Sequence, residues 1–398
     1  MNVMLGKTDC KPAETGYDES RIDKLNERLQ SMIDRELVHG AAYCISHKGK
    51  IIAHGALGRN NSVGEDTPMR PDTVFGIASI TKVFTATAMM QLAEDGIFNL
   101  NDPVGNWLPQ FARRPFSDVK LIHLLTHTSG LYPDAGCFDE LFPKSSWELI
   151  KTEFKAWDKQ RAFDWISAGI SAGLRRPVGT EWQYSSFLFC VLGEIIGRAS
   201  GIPAVDYITQ KILKPLNLKD SCFDKDITQD IADRFYHYDK NTADYLKLLV
   251  SGNRPMTEED EMWEKIPPTG GGINSTVYDL VRFGNAFVYN GRLDGARILG
   301  RKSVEKMSTV QLCNIPDRCW GAQEPNRLYG IGFDIRRTPA FTYSDRTIMH
   351  EGSGASSIDI DLDEQLVAAW YVPFNKVPGG WCPEPLYNVQ NIIWSGLI

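Results

Sequence analysis

Long apolar runs are missing from this chain. No uncharged apolar stretch approaches the ~18–20 residues of a membrane span, so the reading expects no membrane partner. The first twenty residues lack the apolar core of about 7–15 residues that a secretory signal carries. The eight cysteines lie scattered at 10, 44, 137, 190, 222, 313, 319 and 382, with no CxxC pair among them. Scattered thiols in a large chain suggest a reducing compartment, and the expectation is a cytoplasmic protein. Positive charge is in deficit: 43 Lys and Arg stand against 50 Asp and Glu, a net charge of −7. Such a chain has no global attraction for phosphate backbones, so nucleic acid is excluded as an expected partner. Gly (34) and Pro (21) are at ordinary levels, which excludes collagen and low-complexity linkers. No P-loop or GxGxxG occurs, and the reading calls for no cofactor. His123 and His127 have the i, i+4 spacing of paired metal ligands, but no HExxH arrangement accompanies them. They read as packed or hydrogen-bonded histidines, and no metal is expected.

What is present is enough apolar sequence, 42% over 398 residues, to bury a large core. Residues 1–17 read as an irregular arm. A helix follows from Asp18, with Ile22, Leu25, Leu29, Met32 and Ile33 at helical spacing. Residues 41–46 and 50–56 flank His47-Lys48-Gly49 as a β-hairpin. From 79 to 95 the pattern is apolar on nearly every side, which marks a buried helix. Residues 100 to about 265 carry mostly helical patterns, including a Trp-rich stretch at 132–182 that fits either a cleft rim or a helical core. Thr276 opens a further helix running to Asn290-Gly291. Strand patterns then follow at 329–335, 347–351, 356–361 and 366–372, and a last helix at 385–394. This order predicts an α/β domain built from both termini (1–98 and 268–398) and a mainly helical domain (99–267) between them. A small-molecule site is expected in the cleft where they meet.

The sharpest local signal is Ser79-Ile80-Thr81-Lys82 at the start of the buried helix. Three residues apart, the hydroxyl and the amine share one helix face. A serine hydroxyl needs a base within hydrogen-bond reach. An amine in a desolvated pocket loses the stabilisation of its charged form and can serve as that base. The helix start also supplies N–H groups where an oxyanion would form.

With its surroundings, the chain resembles the serine β-lactamase and penicillin-binding-protein superfamily. It is most similar to the branch holding class C β-lactamases, family VIII carboxylesterases, DD-peptidases and D-aminopeptidases. The likeness rests on DTVFGIASITK at 72–82, LLTHTSGL at 124–131, PVGTEWQYSS at 177–186, GGGINST at 270–276, YGIGF at 329–333 and HEGSG at 350–354. It implies a β-lactamase/transpeptidase-like α/β fold, with an antiparallel sheet flanked by helices plus a mainly helical domain. It implies Ser79 as nucleophile, and Lys82 and Tyr184 as the groups that move its proton, without deciding which is the formal base. The backbone N–H groups of Ser79 and Ser353 would form the oxyanion hole.

Two departures bear on substrate. The family often has Tyr-x-Asn, whose amide contacts the acyl side of the substrate, and here the third residue is Ser186. Where relatives carry Lys-Thr-Gly, this chain has His350, Glu351 and Gly352. Glu351, if it faces the cleft, would repel a carboxylate, and His350 is at best partly charged near neutral pH; strand alternation leaves the direction of Glu351 open. The resulting expectation is a serine hydrolase acting on a small ester, or an amide, through an acyl-serine. Acyl transfer, D-aminopeptidase, DD-peptidase or β-lactamase activity on the same scaffold is the alternative. A sensor module that acylates once is a weaker one.

Overall fold

The hairpin at the front of the chain shows how local chemistry sets the sheet. In the computed structural model, which describes residues 2–65, 67–138, 145–374 and 387–398, strand β2 (Gly40–His47) pairs antiparallel with β3 (Lys50–Gly58). His47 faces Lys50, so the loop is Lys48-Gly49 alone, and both residues have positive φ (50° and 72°). Two left-handed residues match the twist of the flanking strands, which is why a glycine stands there. The irregular arm expected at 1–17 contributes more than that. Met4–Leu5 forms a two-residue edge strand, β1, on β3, and Pro12–Thr15 a 3₁₀ turn.

The C-terminal part supplies β4 (Thr347–Gly352), β5 (Ser356–Asp361) and β6 (Leu366–Tyr371). The six strands run β1-β3-β2-β6-β5-β4, all antiparallel, so both ends of the chain share one sheet. The expected strand at 329–335 is not one. Gly332 has φ 75° and a Cβ there would lie 2.3 Å from Ala86 Cβ. The segment turns tightly against the core and pairs with the sheet through Asp334 opposite Met349.

Both sheet faces are covered. One packs on α1 (Ser20–Asp34) and on the last helix, which spans Tyr387–Trp394, with Tyr43, Ile45, Ala368 and Trp370 between them. Residues 385 and 386, expected in that helix, lie outside the described residues. The opposite face carries Ile348, Ile358, Ile360 and Val367 against a second layer. That layer holds α2 (Thr81–Glu94), the helix Val277–Val288 and, beyond them, α3 (Ser186–Ser200). Gly284 lets the Val277–Val288 helix sit close on the sheet, since a Cβ would meet Val367 at 2.4 Å. α2 is buried on nearly all sides, and Phe84 stacks on Phe283 at 4.1 Å. Among the described residues, no single helix is long and apolar enough to cross a membrane.

Candidate active site

Ser79 lies where the chain leaves the short strand Phe75–Gly76 and enters α2 through the 3₁₀ turn Ala78–Ile80. The turn is tight enough to put Ala78 at φ 45°. That conformation disfavours a Cβ, and such outliers gather at functional sites. Three residues on, Lys82 is wholly buried. Its Nζ has three acceptors: Ser79 Oγ at 2.9 Å, Ser186 Oγ at 3.1 Å and the Gly270 carbonyl at 2.7 Å. It also sits 4.9 Å from the Tyr184 ring centroid. From the other side the Tyr184 hydroxyl donates to Ser79 Oγ at 2.7 Å.

The supporting contacts explain how these groups are held. Tyr184 lies on a short extended segment before α3, tied down by Gln183 N to the His127 carbonyl and Asp134 N to the Tyr184 carbonyl. The His127 ring stacks on the Tyr184 ring at 4.6 Å, and its Nδ1 accepts from Ser185 N–H. Asp134 accepts from Ser186 N–H and from the Trp147 indole. Gly270 can present its carbonyl because a Cβ there would collide with the Ser186 carbonyl at 2.7 Å. Gly352 brings β4 onto the nucleophile turn, since a Cβ would stand 2.4 Å from the Ile77 carbonyl and 2.3 Å from Ser356 Oγ.

Electrostatics follow from burial. Burial pulls Lys82 down to about 8, with Asp134 and then Cys190 opposing. Burial drives the Tyr184 phenol well above its ordinary value, against a smaller opposing effect of its bond to Ser79. His350 falls to about 4, chiefly through burial and then the nearby Lys82 charge, and its Nδ1 lies 2.8 Å from the Glu351 carbonyl. A carbonyl only accepts, so Nδ1 carries the proton of a neutral ring. His127 is likewise held well below its usual value, by burial first.

The structure therefore brings together Ser79, Lys82, Tyr184 and Ser186, with His350 and Gly352 beside them. Ser353 is exposed on the turn that joins β4 to β5. Glu351 goes the other way. Strand alternation puts His350 on the α2 face, opposite Ile358, and Glu351 on the α1 face, opposite Ser357. Its carboxylate is held by Arg336 at 2.6 Å. The charge that sequence reasoning set against a substrate carboxylate is thus already paired. Neither His123 nor His127 joins a metal cluster. No group of three or more candidate ligands exists among the described residues, and His123 Nδ1 accepts from Lys120 N–H instead.

A cavity of about 460 Å³ opens over Ser79, with Ser186 and Gly270 on its floor. Trp147, Trp263, Ile266, Pro267 and Pro268 give it an apolar wall. Trp147 bears out the rim reading of the Trp-rich stretch, whereas Trp165 is buried in the core. Another cavity, of about 540 Å³, lies by Met4, Gln30, Asp34 and Met69, with no serine, cysteine or lysine in its lining. Sequence reasoning missed Asp134, Trp263, Arg336 and the lysine-binding role of the Gly270 carbonyl.

The family model described as Beta-lactamase matches residues 25–380. The protein Rv1367c of Mycobacterium tuberculosis is 27% identical over 343 residues, covering 80% of each chain. Esterase EstB of Burkholderia gladioli is 34% identical over 204 residues, 49% of each chain. Among solved structures, a family VIII carboxylesterase superposes with a TM-score of 0.71 at 18% identity, covering 100% of this chain and 99% of the other. That likeness carries the fold: the β-lactamase/transpeptidase-like arrangement of antiparallel sheet and helices.

Proposed function

The chain belongs to the beta-lactamase family, and from that premise we propose that it is a serine hydrolase cleaving small, uncharged esters through an acyl-Ser79 intermediate. One observation carries the reading: a single hydroxyl oxygen, Ser79 Oγ, bonded at once to a buried lysine (2.9 Å) and a buried phenol (2.7 Å).

The two partners have different parts to play. Tyr184 is protonated when nucleophilic attack begins and donates to Ser79 Oγ, so the proton of Ser79 has one basic neighbour to go to, the uncharged form of Lys82. As that proton leaves, Ser79 Oγ forms a bond to the ester carbonyl carbon, and the carbonyl oxygen takes up the negative charge. The N–H groups of Ser79 and Ser353 are the donors for this oxyanion, a contribution worth on the order of 3 kcal/mol per donor. The tetrahedral species expels the alcohol oxygen, which takes the Tyr184 proton, and Lys82 returns a proton to Tyr184. Water then attacks the acyl-serine by the same steps in reverse. The site is held in the cleft between the sheet-bearing part of the chain (1–98 and 268–398) and the helical part (99–267).

Substrate charge follows from the surroundings. His350 is neutral, and the Arg336 guanidinium pairs with both Asp334 and Glu351. Among the described residues, a substrate carboxylate would find a neutral imidazole and an already paired guanidinium at this position, and the apolar wall of the cavity suits an aliphatic acyl chain. The relation to Esterase EstB supports the ester over the amide.

Turnover of p-nitrophenyl butyrate tests this. Ser79→Ala and Lys82→Ala should each abolish it, with little further loss on combining them, because the residues act as one unit. Tyr184→Phe should slow it at least about a hundredfold while leaving Tm nearly unchanged. Undiminished turnover in Ser79→Ala would refute the reading.

A further inference from the structure

Resting on this acyl-enzyme reading, we propose that Trp320 recognises the leaving-group side of the substrate and that this chain prefers esters of aromatic alcohols. Trp320 has φ 53° and ψ 36°, a left-handed conformation that is a true outlier for so bulky a side chain. The next residue, Gly321, is left-handed as well, at φ 77°. Strain of this kind persists only where the surroundings impose it, and here they do. Trp320 N–H donates to the Cys137 carbonyl at 2.6 Å, and Cys319 N–H donates to Asp317 at 2.8 Å. Cys319 itself is buried beneath, beside the Trp182 carbonyl.

The result is an indole pushed outward rather than in. Trp320 is 47% exposed, yet its ring lies 5.2 Å from that of Tyr184 and 6.3 Å from that of Trp182. The acyl cavity, with Trp147 and Trp263, opens on the Ser186 and Gly270 side of Ser79. Trp320 is absent from the lining of that cavity and lies instead against the phenol that protonates the departing oxygen. A leaving alcohol coming off Ser79 therefore passes beside an open aromatic face. An aryl group can stack or meet that face edge-on, gaining roughly two- to tenfold beyond what area burial gives. A short alkyl group gains neither.

The test compares phenyl butyrate with ethyl butyrate, which give the same acyl-enzyme and differ only in what leaves. Trp320→Gly removes the indole and suits the left-handed backbone, so its Tm should equal or exceed that of the unmodified chain. Trp320→Gly and Trp320→Ala should each lower kcat/KM for phenyl butyrate about tenfold, mainly through KM. The change for ethyl butyrate should be under twofold, and Trp320→Phe should recover most of the loss. Equal losses on both esters, or none on phenyl butyrate, would overturn the assignment while leaving the acyl-enzyme intact. Turnover of both esters by Ser79→Ala would instead remove the reading beneath it.

Discussion

The state of Lys82 should govern the rate near neutral pH. The perturbation is pH itself, and the structure sets its effect. Lys82 titrates at about 8 because burial strips its charge of water. The uncharged fraction is then about 1% at pH 6 and about half at pH 8, by ordinary titration. Acylation that uses uncharged Lys82 should therefore rise about fiftyfold between those values and level off above pH 9. An amine at the ordinary value of about 10.5 would be less than about 1% uncharged at pH 8 and would give a rate still climbing at pH 10. The other displaced groups of the site stay silent in this window: His350 lies at about 4, Cys190 at about 12, Tyr184 well above 10 and His127 well below 6.5. Asp279, at about 7, and Asp359, at about 6, are raised mainly by burial. They titrate near neutrality but bond Ser221 and Tyr343 rather than the reacting groups. Parallel Tm measurements across the pH range separate any effect of theirs on stability. The assay is kcat/KM for phenyl butyrate from pH 5.5 to 10, because kcat/KM reports the free enzyme. A flat profile from pH 6 to 9, or a limb still rising at pH 10, would refute Lys82 as the proton acceptor.

Two substitutions extend this. Asp134→Asn removes the leading influence that holds the Lys82 value up, so the acid limb should move to lower pH. It also leaves either Trp147 or Ser186 without a suitable acceptor, so Tm should fall, corresponding to about 1–3 kcal/mol; a limb that stays put or moves to higher pH would contradict the assignment. Gly352→Ala would push a methyl group into the Ile77 carbonyl, which is backbone and cannot rotate away. It should cost about 1–3 kcal/mol of stability, read by urea denaturation, and lower kcat by displacing the strand end that carries Ser353. Unchanged kcat would show that β4 does not position the oxyanion donors.

How far the sequence revealed the site depended on where each signal lay. Ser79 and Lys82 were legible because two chemistry-bearing side chains three residues apart must share a helix face. Tyr184 was legible only through its surrounding block, since nothing local separates it from a core tyrosine. The Gly270 carbonyl has no side chain to announce it. Asp134 acts on a backbone N–H 52 positions away, and Arg336 pairs with a residue 15 positions on; both depend on the assembled fold. The direction of Glu351 needed the register of β4 on β5, which periodicity alone does not supply. In the fold, the hairpin and the three C-terminal strands followed from alternation and turn residues. The segment 329–335 misled because its aromatic and aliphatic residues mimic a strand while Gly332 folds it back. β1, only two residues long, leaves no periodicity to detect.

Covalent capture of the nucleophile bears on all of this at once. The chain is treated with a fluorophosphonate ester, and intact-mass analysis and peptide mapping locate the adduct. One adduct per chain, on the peptide holding Ser79 and missing from Ser79→Ala, is the expected result. A labelled residue elsewhere, or equal labelling of Ser79→Ala, would show that the hydroxyl between Lys82 and Tyr184 is not the one that reacts.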